Sequence, residues 1–248
     1  MDYTQHIQLA VFDMAGTTVR DLSEVETCFK KAADETGLPA TMERIKDMQG
    51  LPKLLVVQTL WTEAIGDSDP GYEQKVADTY QRFTEILENH YRTEPVMPTD
   101  GALEVFQWMK EQGIKVCLTT GFYRKVTNII LDRLGWDKGL NDHYQAVSPE
   151  ALIDLSLTPD ETGKGRPHPD MILMAMDILG VQDPHKVLKI GDTPSDLQAG
   201  EKAGVGFNLA LTNGTHSREQ LEQYQNDALL DSIMELPATL EYLIKQRF

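Results

Sequence analysis

Short apolar segments with high β-propensity alternate with helical patterns along most of this 248-residue chain. The first segment runs from Ile7 to Phe12, and similar ones follow at Ile114–Leu118, Val187–Ile190 and Gly206–Leu211, with a shorter candidate at Ala146–Val147. Continuous apolar strands are typical of a parallel sheet that is buried on both faces. The alternation therefore predicts an α/β fold with a doubly wound, mainly parallel sheet and helices on both faces.

The segments between these strands show helical periodicity and end at glycine, which favours the left-handed C-cap of a helix. The apolar sets are Leu103, Phe106 and Met109 before Gly113; Val126, Ile129, Ile130 and Leu134 before Gly135; and Ile172, Met176, Ile178 and Leu179 before Gly180.

One long stretch, from about Val19 to Arg92, has no strand-like segment and is helical in its periodicity. Its apolar sets are Val25, Cys28, Phe29 and Ala32; Leu54, Val57, Leu60 and Trp61; and Val76, Tyr80, Phe83 and Leu87. The segment Thr93–Gly101, with two prolines and a terminal glycine, is typical of a hinge. We therefore predict an α/β core domain at residues 1–18 and 96–248, and a helical cap domain at residues 19–95.

The net charge of −16 argues against nucleic acid or an anionic membrane as a partner. No apolar run approaches the ~18 residues of a membrane span, and the N-terminus does not resemble a signal peptide. Cys28 and Cys117 lie inside apolar patterns and are expected to be buried thiols, so we predict a cytoplasmic protein. A small phosphorylated substrate stays compatible with the charge, because local cations and a metal can dominate a cleft.

Polar groups cluster where the predicted strands end, and the ends of strands in such a sheet meet at one ligand-binding crevice. These groups are Asp13 with Ala15–Thr18, Thr119–Gly121, Arg166, and Asp192–Asp196. Taken singly, each also fits a structural role such as a turn, a helix N-cap or a surface charge. Taken together, they are the groups that a single reaction requires.

That reaction is phosphoryl transfer through a covalent aspartyl-phosphate, with Asp13 as the nucleophile. Asp13, Asp192 and a backbone carbonyl can supply the oxygen ligands that Mg²⁺ requires. The planar fork of Arg166 is suited to clamp the phosphoryl group, and Thr120 can donate a hydrogen bond to one of its oxygens. The turn at 15–18 offers backbone N–H groups to the same phosphate.

The sequence Phe-Asp-Met-Ala-Gly-Thr-Thr at residues 12–18 resembles the first motif of the haloacid dehalogenase superfamily. Thr120, Arg166 and the pair of Asp192 and Asp196 stand where its second, third and fourth motifs are expected, and the resemblance extends from residue 8 to about 220. The Ala-Gly-Thr-Thr form, with Arg rather than Lys in Gly165–Asp170, is similar to the phosphonoacetaldehyde hydrolase (phosphonatase) subgroup.

The resemblance implies a magnesium-dependent hydrolase whose inserted helices form a cap, with a possible homodimer through that cap. It implies metal ligands at Asp13, the Ala15 carbonyl, Asp192 and Asp196. It implies phosphate contacts at Gly16, Thr17, Thr120, Gly121 and Arg166. The third motif of the superfamily usually carries a lysine, so Lys164 is a rival of Arg166 for this cation. The Gly-Arg-Pro context favours Arg166.

Ala15 and Lys53 together suggest which bond is cleaved. Phosphatases of the superfamily carry an acid two residues after the nucleophile to protonate an ester leaving group, and Ala15 stands at that position. Gly50–Lys53 resembles the cap segment whose lysine forms a Schiff base with the substrate aldehyde in the subgroup. Pro52 fits the start of a helix, and a lysine in its first turn is favoured in the neutral form that an imine requires.

Three positions depart from the subgroup pattern: Gln49 in place of Met, Val56 in place of His, and Phe122 in place of Tyr. The missing His would assist proton transfers around the imine, so another carbonyl phosphonate stays open as the substrate. Two other functions stay open as well, a phosphatase for small phosphate esters and a non-catalytic protein that binds a phosphate ligand.

Overall fold

The computed structural model describes residues 2–247 and is built on a six-stranded sheet in which every pairing is parallel. Its strands are β1 Leu9–Asp13, β2 Lys115–Thr119, β3 Leu155–Leu157, β4 Val187–Gly191, β5 Phe207–Leu211 and β6 Ala228–Leu230. The strand order is β3-β2-β1-β4-β5-β6, so the chain reverses its direction of travel across the sheet between β1 and β4. Ligands of such sheets bind beyond the carboxyl ends of the strands at this switch point.

Helices cover both faces of the sheet. Those outside the cap are α5 Ala102–Glu111, α6 Arg124–Leu134, α7 Pro159–Thr162, α8 Asp170–Leu179, α9 Pro194–Ala203, α10 Arg218–Leu221 and α11 Leu236–Arg247. Leu9 and Val11 of β1 pack in one apolar cluster with α8, whereas Ala10 and Phe12 belong to the cluster on the other face. Alternate residues of one strand thus face two layers, as the period of two requires.

The helical insertion lies between β1 and α5 and consists of α1 Glu24–Thr36, α2 Met42–Asp47, α3 Lys53–Ile65 and α4 Tyr72–Thr93. Phe29 and Phe83 join α1 to α4 with ring centroids 5.0 Å apart. Nε1 of Trp61 in α3 donates to Oγ1 of Thr79 in α4 at 2.9 Å. The predicted α/β fold with an inserted helical cap is confirmed, while the outermost residues of the predicted core domain, 1 and 248, lie outside the described residues.

Several local predictions were wrong. Ala146–Val147 is not a strand: Ala146 forms an isolated bridge with Leu140, and Val147 is 69% exposed. The third strand is instead Leu155–Leu157, which is too short to show a pattern of its own. The apolar face predicted for α3 holds at Val57, Leu60 and Trp61 but not at Leu54, which is 41% exposed while its neighbour Lys53 is buried.

Two further members of the predicted apolar faces lie towards the surface, Leu103 of α5 and Ile178 of α8. Among residues 2–247, no helix combines the length and the apolar character that crossing a membrane requires.

Candidate active site

Three buried carboxylates meet at the switch point of the sheet. Asp13 ends β1, Asp192 follows β4, and Asp196 lies in the first turn of α9. One oxygen from each lies within 4.8 Å of the others. Because β1 and β4 are adjacent and parallel, their carboxyl ends bring residues from distant parts of the sequence to one edge.

Asp192 is held by the loops that follow β1 and β5. Its Oδ1 accepts a hydrogen bond from Oγ1 of Thr17 at 3.2 Å, and its Oδ2 accepts from N and Oγ1 of Thr215 at 2.7 and 2.8 Å. Gly16 allows this approach, because a Cβ at this position would lie 2.3 Å from Asp192 Oδ2. Gly16 and Thr17 were predicted as phosphate contacts, and in the structure they also orient the Asp192 carboxylate.

Asp196 has its oxygens occupied by donors of the protein. Oδ1 accepts from Nζ of Lys189 at 2.6 Å and from Nη1 of Arg166, and Oδ2 accepts from Oγ1 of Thr193 at 2.6 Å. Burial opposes ionisation of Asp196, but Arg166 and Lys189 hold its pKa well below the ordinary range. The carboxylate thus positions Arg166 beside Asp13.

Asp13 and Arg166 are in contact yet leave unsatisfied polar atoms between them. Nη2 of Arg166 lies 2.8 Å from Oδ1 of Asp13, but this buried oxygen accepts no well-oriented hydrogen bond, and the buried Nε of Arg166 has no acceptor. Burial raises the pKa of Asp13 to about 7, against the opposing effect of Arg166. A free acceptor and a free donor side by side fit a bound cation and a phosphoryl oxygen.

Lys53 enters the same region from the cap as the first residue of α3. It is 6% exposed, and its Nζ donates to Oε1 of Gln49 at 3.0 Å. Burial and, after it, the charge of Arg166 lower the pKa of Lys53 to about 8, while Glu26 and nearby acids act in the opposite direction. At pH 7 roughly a tenth of this amine is therefore unprotonated and nucleophilic, and the fraction grows as the pH rises.

A small cavity of about 20 Å³ connects these groups. Its lining combines core and cap residues: Asp13, Ala15, Asp21, Val25, Gln49, Gly50, Lys53, Thr120, Gly121, Phe122, Arg166, Thr193 and Thr215. A larger open cavity of about 430 Å³ lies alongside and shares Lys53, Gly121 and Arg166 with it.

The structure brings together the residues predicted from the sequence, with differences in detail. Thr120 is not the N-cap of α6, which is Tyr123; its Oγ1 accepts from N of Phe122 at 3.1 Å and it lines the cavity. Arg166 is 3% exposed at the site, whereas its rival Lys164 is exposed at the surface.

Sequence reasoning missed three residues of the site: Lys189, Thr215 and Asp21. Lys189 had a detectable signal, because a single lysine within the apolar strand Val187–Gly191 must find a buried partner. Thr215 and Asp21 lie in loops, where no periodicity indicates the direction of a side chain.

The chain is similar to known hydrolases in sequence and in fold. The family model of haloacid dehalogenase-like hydrolases matches residues 7–204. A phosphonoacetaldehyde hydrolase of Bacillus cereus is 30% identical, covering 98% of this chain and 88% of the relative, and one of Bacillus cytotoxicus is 27% identical, covering 98% of both. A solved phosphonoacetaldehyde hydrolase-like protein of Oleispira antarctica superposes with a TM-score of 0.77 at 18% identity, covering 98% of this chain and 94% of the other.

Proposed function

The chain belongs to the haloacid dehalogenase-like hydrolases, and from this premise we propose that it cleaves the carbon–phosphorus bond of phosphonoacetaldehyde or a similar carbonyl phosphonate. The observation that carries the proposal is that Lys53 of the cap and Asp13 of the core line one cavity. A phosphate-ester phosphatase has no use for an amine nucleophile beside the carboxylate. A buried amine with a lowered pKa gives the same cavity a second nucleophile, suited to a carbonyl carbon.

Lys53 would act on the organic half of the substrate. Its neutral amine attacks the carbonyl carbon, water departs, and a protonated imine remains. When the carbon–phosphorus bond breaks, its electron pair moves onto the carbon and is delocalised to the imine nitrogen, which gives an enamine. A proton from water at the terminal carbon of the enamine gives the protonated imine of acetaldehyde, and hydrolysis of this imine releases acetaldehyde and Lys53. This electron sink removes the need for an acid at position 15, where the chain has Ala15.

Asp13 would act on the phosphoryl half. Its carboxylate oxygen bonds to phosphorus as the carbon departs, and water then hydrolyses the aspartyl-phosphate to release inorganic phosphate. Arg166 is placed to donate its unpaired Nε–H to a phosphoryl oxygen, and Thr120 lines the same cavity with its hydroxyl. Because both donors are buried, their hydrogen bonds to the developing charge are strengthened.

The donor set at the switch point fits Mg²⁺, which prefers oxygen ligands. Asp13, the Ala15 carbonyl and Asp192 would hold the ion; Asp196 is a further predicted ligand, although its oxygens already accept from protein donors. A cation there would offset the repulsion between the carboxylates and an incoming phosphonate.

The test is release of phosphate and acetaldehyde from phosphonoacetaldehyde with Mg²⁺, for the wild type and for Lys53→Ala, Asp13→Ala and Lys46→Ala. Lys46 is an exposed lysine of α2 and serves as the matched control. We expect equal rates of both products, loss of turnover in the first two variants, and no change in the third. Turnover of phosphate esters that persists in Lys53→Ala would instead select the phosphatase function.

A further inference from the structure

The segment that leads from the core into the cap forms an acidic turn, Asp21–Glu24. Ser23 adopts a φ of 72°, which is unfavourable for a residue with a side chain and marks a conformation held by its surroundings. The turn is closed by two contacts: N of Glu24 donates to Oδ1 of Asp21 at 3.0 Å, and N of Leu22 donates to the Glu24 carboxylate. The two carboxyl groups are thereby kept together.

Asp21 also lines the small cavity that Lys53 and Asp13 line. Among the described residues of that lining, the titratable side chains are Asp13, Asp21, Lys53 and Arg166. The proposed function assigns Asp13 and Lys53 as nucleophiles, and a guanidinium does not release its proton at physiological pH. One titratable group of the lining, Asp21, is left for the proton transfers that imine chemistry requires.

We infer that Asp21 is the general acid–base for formation and hydrolysis of the Lys53 imine. This inference rests on the proposed function. The apolar side chain of Val56 is buried near the start of α3 and cannot take that role, so the proton carrier comes from the turn before α1 instead.

The proton balance of the step is complete. As the Lys53 nitrogen bonds to the carbonyl carbon, the Asp21 carboxylic acid protonates the carbonyl oxygen, and the resulting carboxylate takes a proton from the attached nitrogen. The acid then protonates the hydroxyl group, which leaves as water while the nitrogen lone pair forms the C=N bond. Asp21 ends as a carboxylate beside a protonated imine, and hydrolysis of the product imine returns the proton.

The surroundings of Asp21 keep it protonated for this role. Burial, followed by the contact with Glu24 and the charges of Glu26 and Glu24, raises the pKa of Asp21 to about 8. Glu26 is 2% exposed, and its Oε2 has no hydrogen-bond donor. The other groups facing the turn are Lys53 of α3, Cys28 of α1, and His90 and Tyr91 of α4. An acid of this strength is matched to catalysis near neutral pH.

Asp21→Asn is the test, because an asparagine Oδ1 still accepts the hydrogen bond from Glu24 and preserves the turn. The rate at which borohydride traps the Lys53 imine with phosphonoacetaldehyde is measured by mass, together with the pH profile of kcat. We expect trapping and turnover to fall about 100-fold or more, the size of a lost general acid. Asp34→Asn, an exposed carboxylate on α1, is expected to behave as the wild type.

The pH profile separates a catalytic role from a structural one. Activity needs Asp21 protonated, so wild-type kcat falls above about pH 8, and this alkaline limb is expected to vanish in Asp21→Asn. Glu24→Gln removes a neighbouring negative charge and should move the limb to lower pH. If the wild type turns over, and Asp21→Asn and Glu24→Gln both keep its trapping rate and its alkaline limb, Asp21 is not the general acid–base. If the wild type neither turns over phosphonoacetaldehyde nor forms an imine, the proposed function itself is overturned.

Discussion

The protonation state of one amine, that of Lys53, decides which chemistry the cavity supports. Burial and Arg166 favour the neutral amine, and the position at the start of α3 adds the unfavourable interaction of an ammonium ion with the helix dipole. The hydrogen bond to Gln49 acts in the opposite direction, because an amide oxygen accepts more strongly from an ammonium group than from an amine.

Gln49→Met introduces the residue that the phosphonatase subgroup has at this position. We therefore expect this variant to keep more of its proposed Schiff-base activity at low pH than the wild type does. Activity of the wild type requires neutral Lys53 and so should decrease as the pH falls below about 8. Loss of the acceptor lowers the pKa of Lys53 further, so this acid limb of kcat/KM should move to lower pH. The measurement is the pH profile with phosphonoacetaldehyde, with Gln74→Met on the exposed face of α4 as the control.

An acid limb that stays in place, or moves to higher pH, would show that Gln49 does not tune the amine. Wild-type activity without any acid limb near this range would argue more broadly against a neutral amine as a reactant.

How far single residues of the site follow from the sequence depends on where they lie. Asp13, Thr120 and Asp192 stand at or just after strand ends, where the parallel topology alone determines that they converge. Asp21 and Thr215 lie in loops, and their contacts depend on how two distant loops fold over the sheet. No local pattern in the sequence contains that information.

At the scale of elements, the cap meets the core through two glycines in facing loops. A Cβ at Gly50 would lie 2.4 Å from Oγ of Ser195 and 2.5 Å from Oγ1 of Thr193. A Cβ at Gly121 would lie 2.8 Å from the carbonyl oxygen of Gly50. The absence of side chains thus lets the loop before α3, the helix that begins with Lys53, pack on the loops after β2 and β4.

Gly50→Ala is expected to separate α3 from the core and to lower kcat/KM by roughly 100-fold, the scale of a displacement of about 1 Å in a catalytic group. Gly37→Ala is the matched control, because Gly37 also has a positive φ, of 77°, but nothing within 4 Å of its Cβ. Both variants should lose about 1–2 kcal/mol of unfolding free energy from the left-handed conformation. Steady-state kinetics and urea unfolding measure the two effects, and equal loss of activity in both variants would contradict the proposed contact.

The elements themselves were largely predictable because their patterns are local. The four long strands follow from apolar composition, and α1, α3, α4, α5, α6 and α8 follow from apolar periodicity, supported in the core by glycine C-caps such as Gly135 and Gly180. The helices α2, α7, α10 and α11 were not predicted. The two strands at the sheet edges, Leu155–Leu157 and Ala228–Leu230, have three residues each and are defined by pairing rather than by composition. On α3 the predicted Val57, Leu60 and Trp61 are buried, and only the first position differs, since Lys53 rather than Leu54 lies inward.

At the scale of the whole molecule, the cavity lined by the reacting groups is too small for the proposed substrate. A cavity of about 20 Å³ has room for about one water molecule and not for a carbonyl phosphonate. The adjacent cavity of about 430 Å³ also reaches Lys53 and Arg166. We therefore expect the cap to move away from the core and return during turnover.

A cross-link between cap and core tests this requirement. Pro52 precedes α3 in the cap and Gly165 precedes Arg166 in the core; a Cβ at Gly165 would lie 2.5 Å from Cγ of Pro52. Two cysteines at these positions come within the ~4.5 Å between Cβ atoms that a disulfide bridges. The native Cys28 and Cys117 are buried with raised thiol pKa values and should not compete.

The oxidised Pro52→Cys/Gly165→Cys protein is expected to lose nearly all turnover of phosphonoacetaldehyde and to recover it when the disulfide is reduced. Each single variant, treated with the same oxidant, provides the control for the substitutions themselves and should be unaffected by the treatment. The reason is steric, because a fixed cap leaves the cavity of about 20 Å³ beside Asp13 too small to admit the substrate. Full activity of the oxidised double variant would mean that the substrate reaches Asp13 through the open cavity while the cap stays in place.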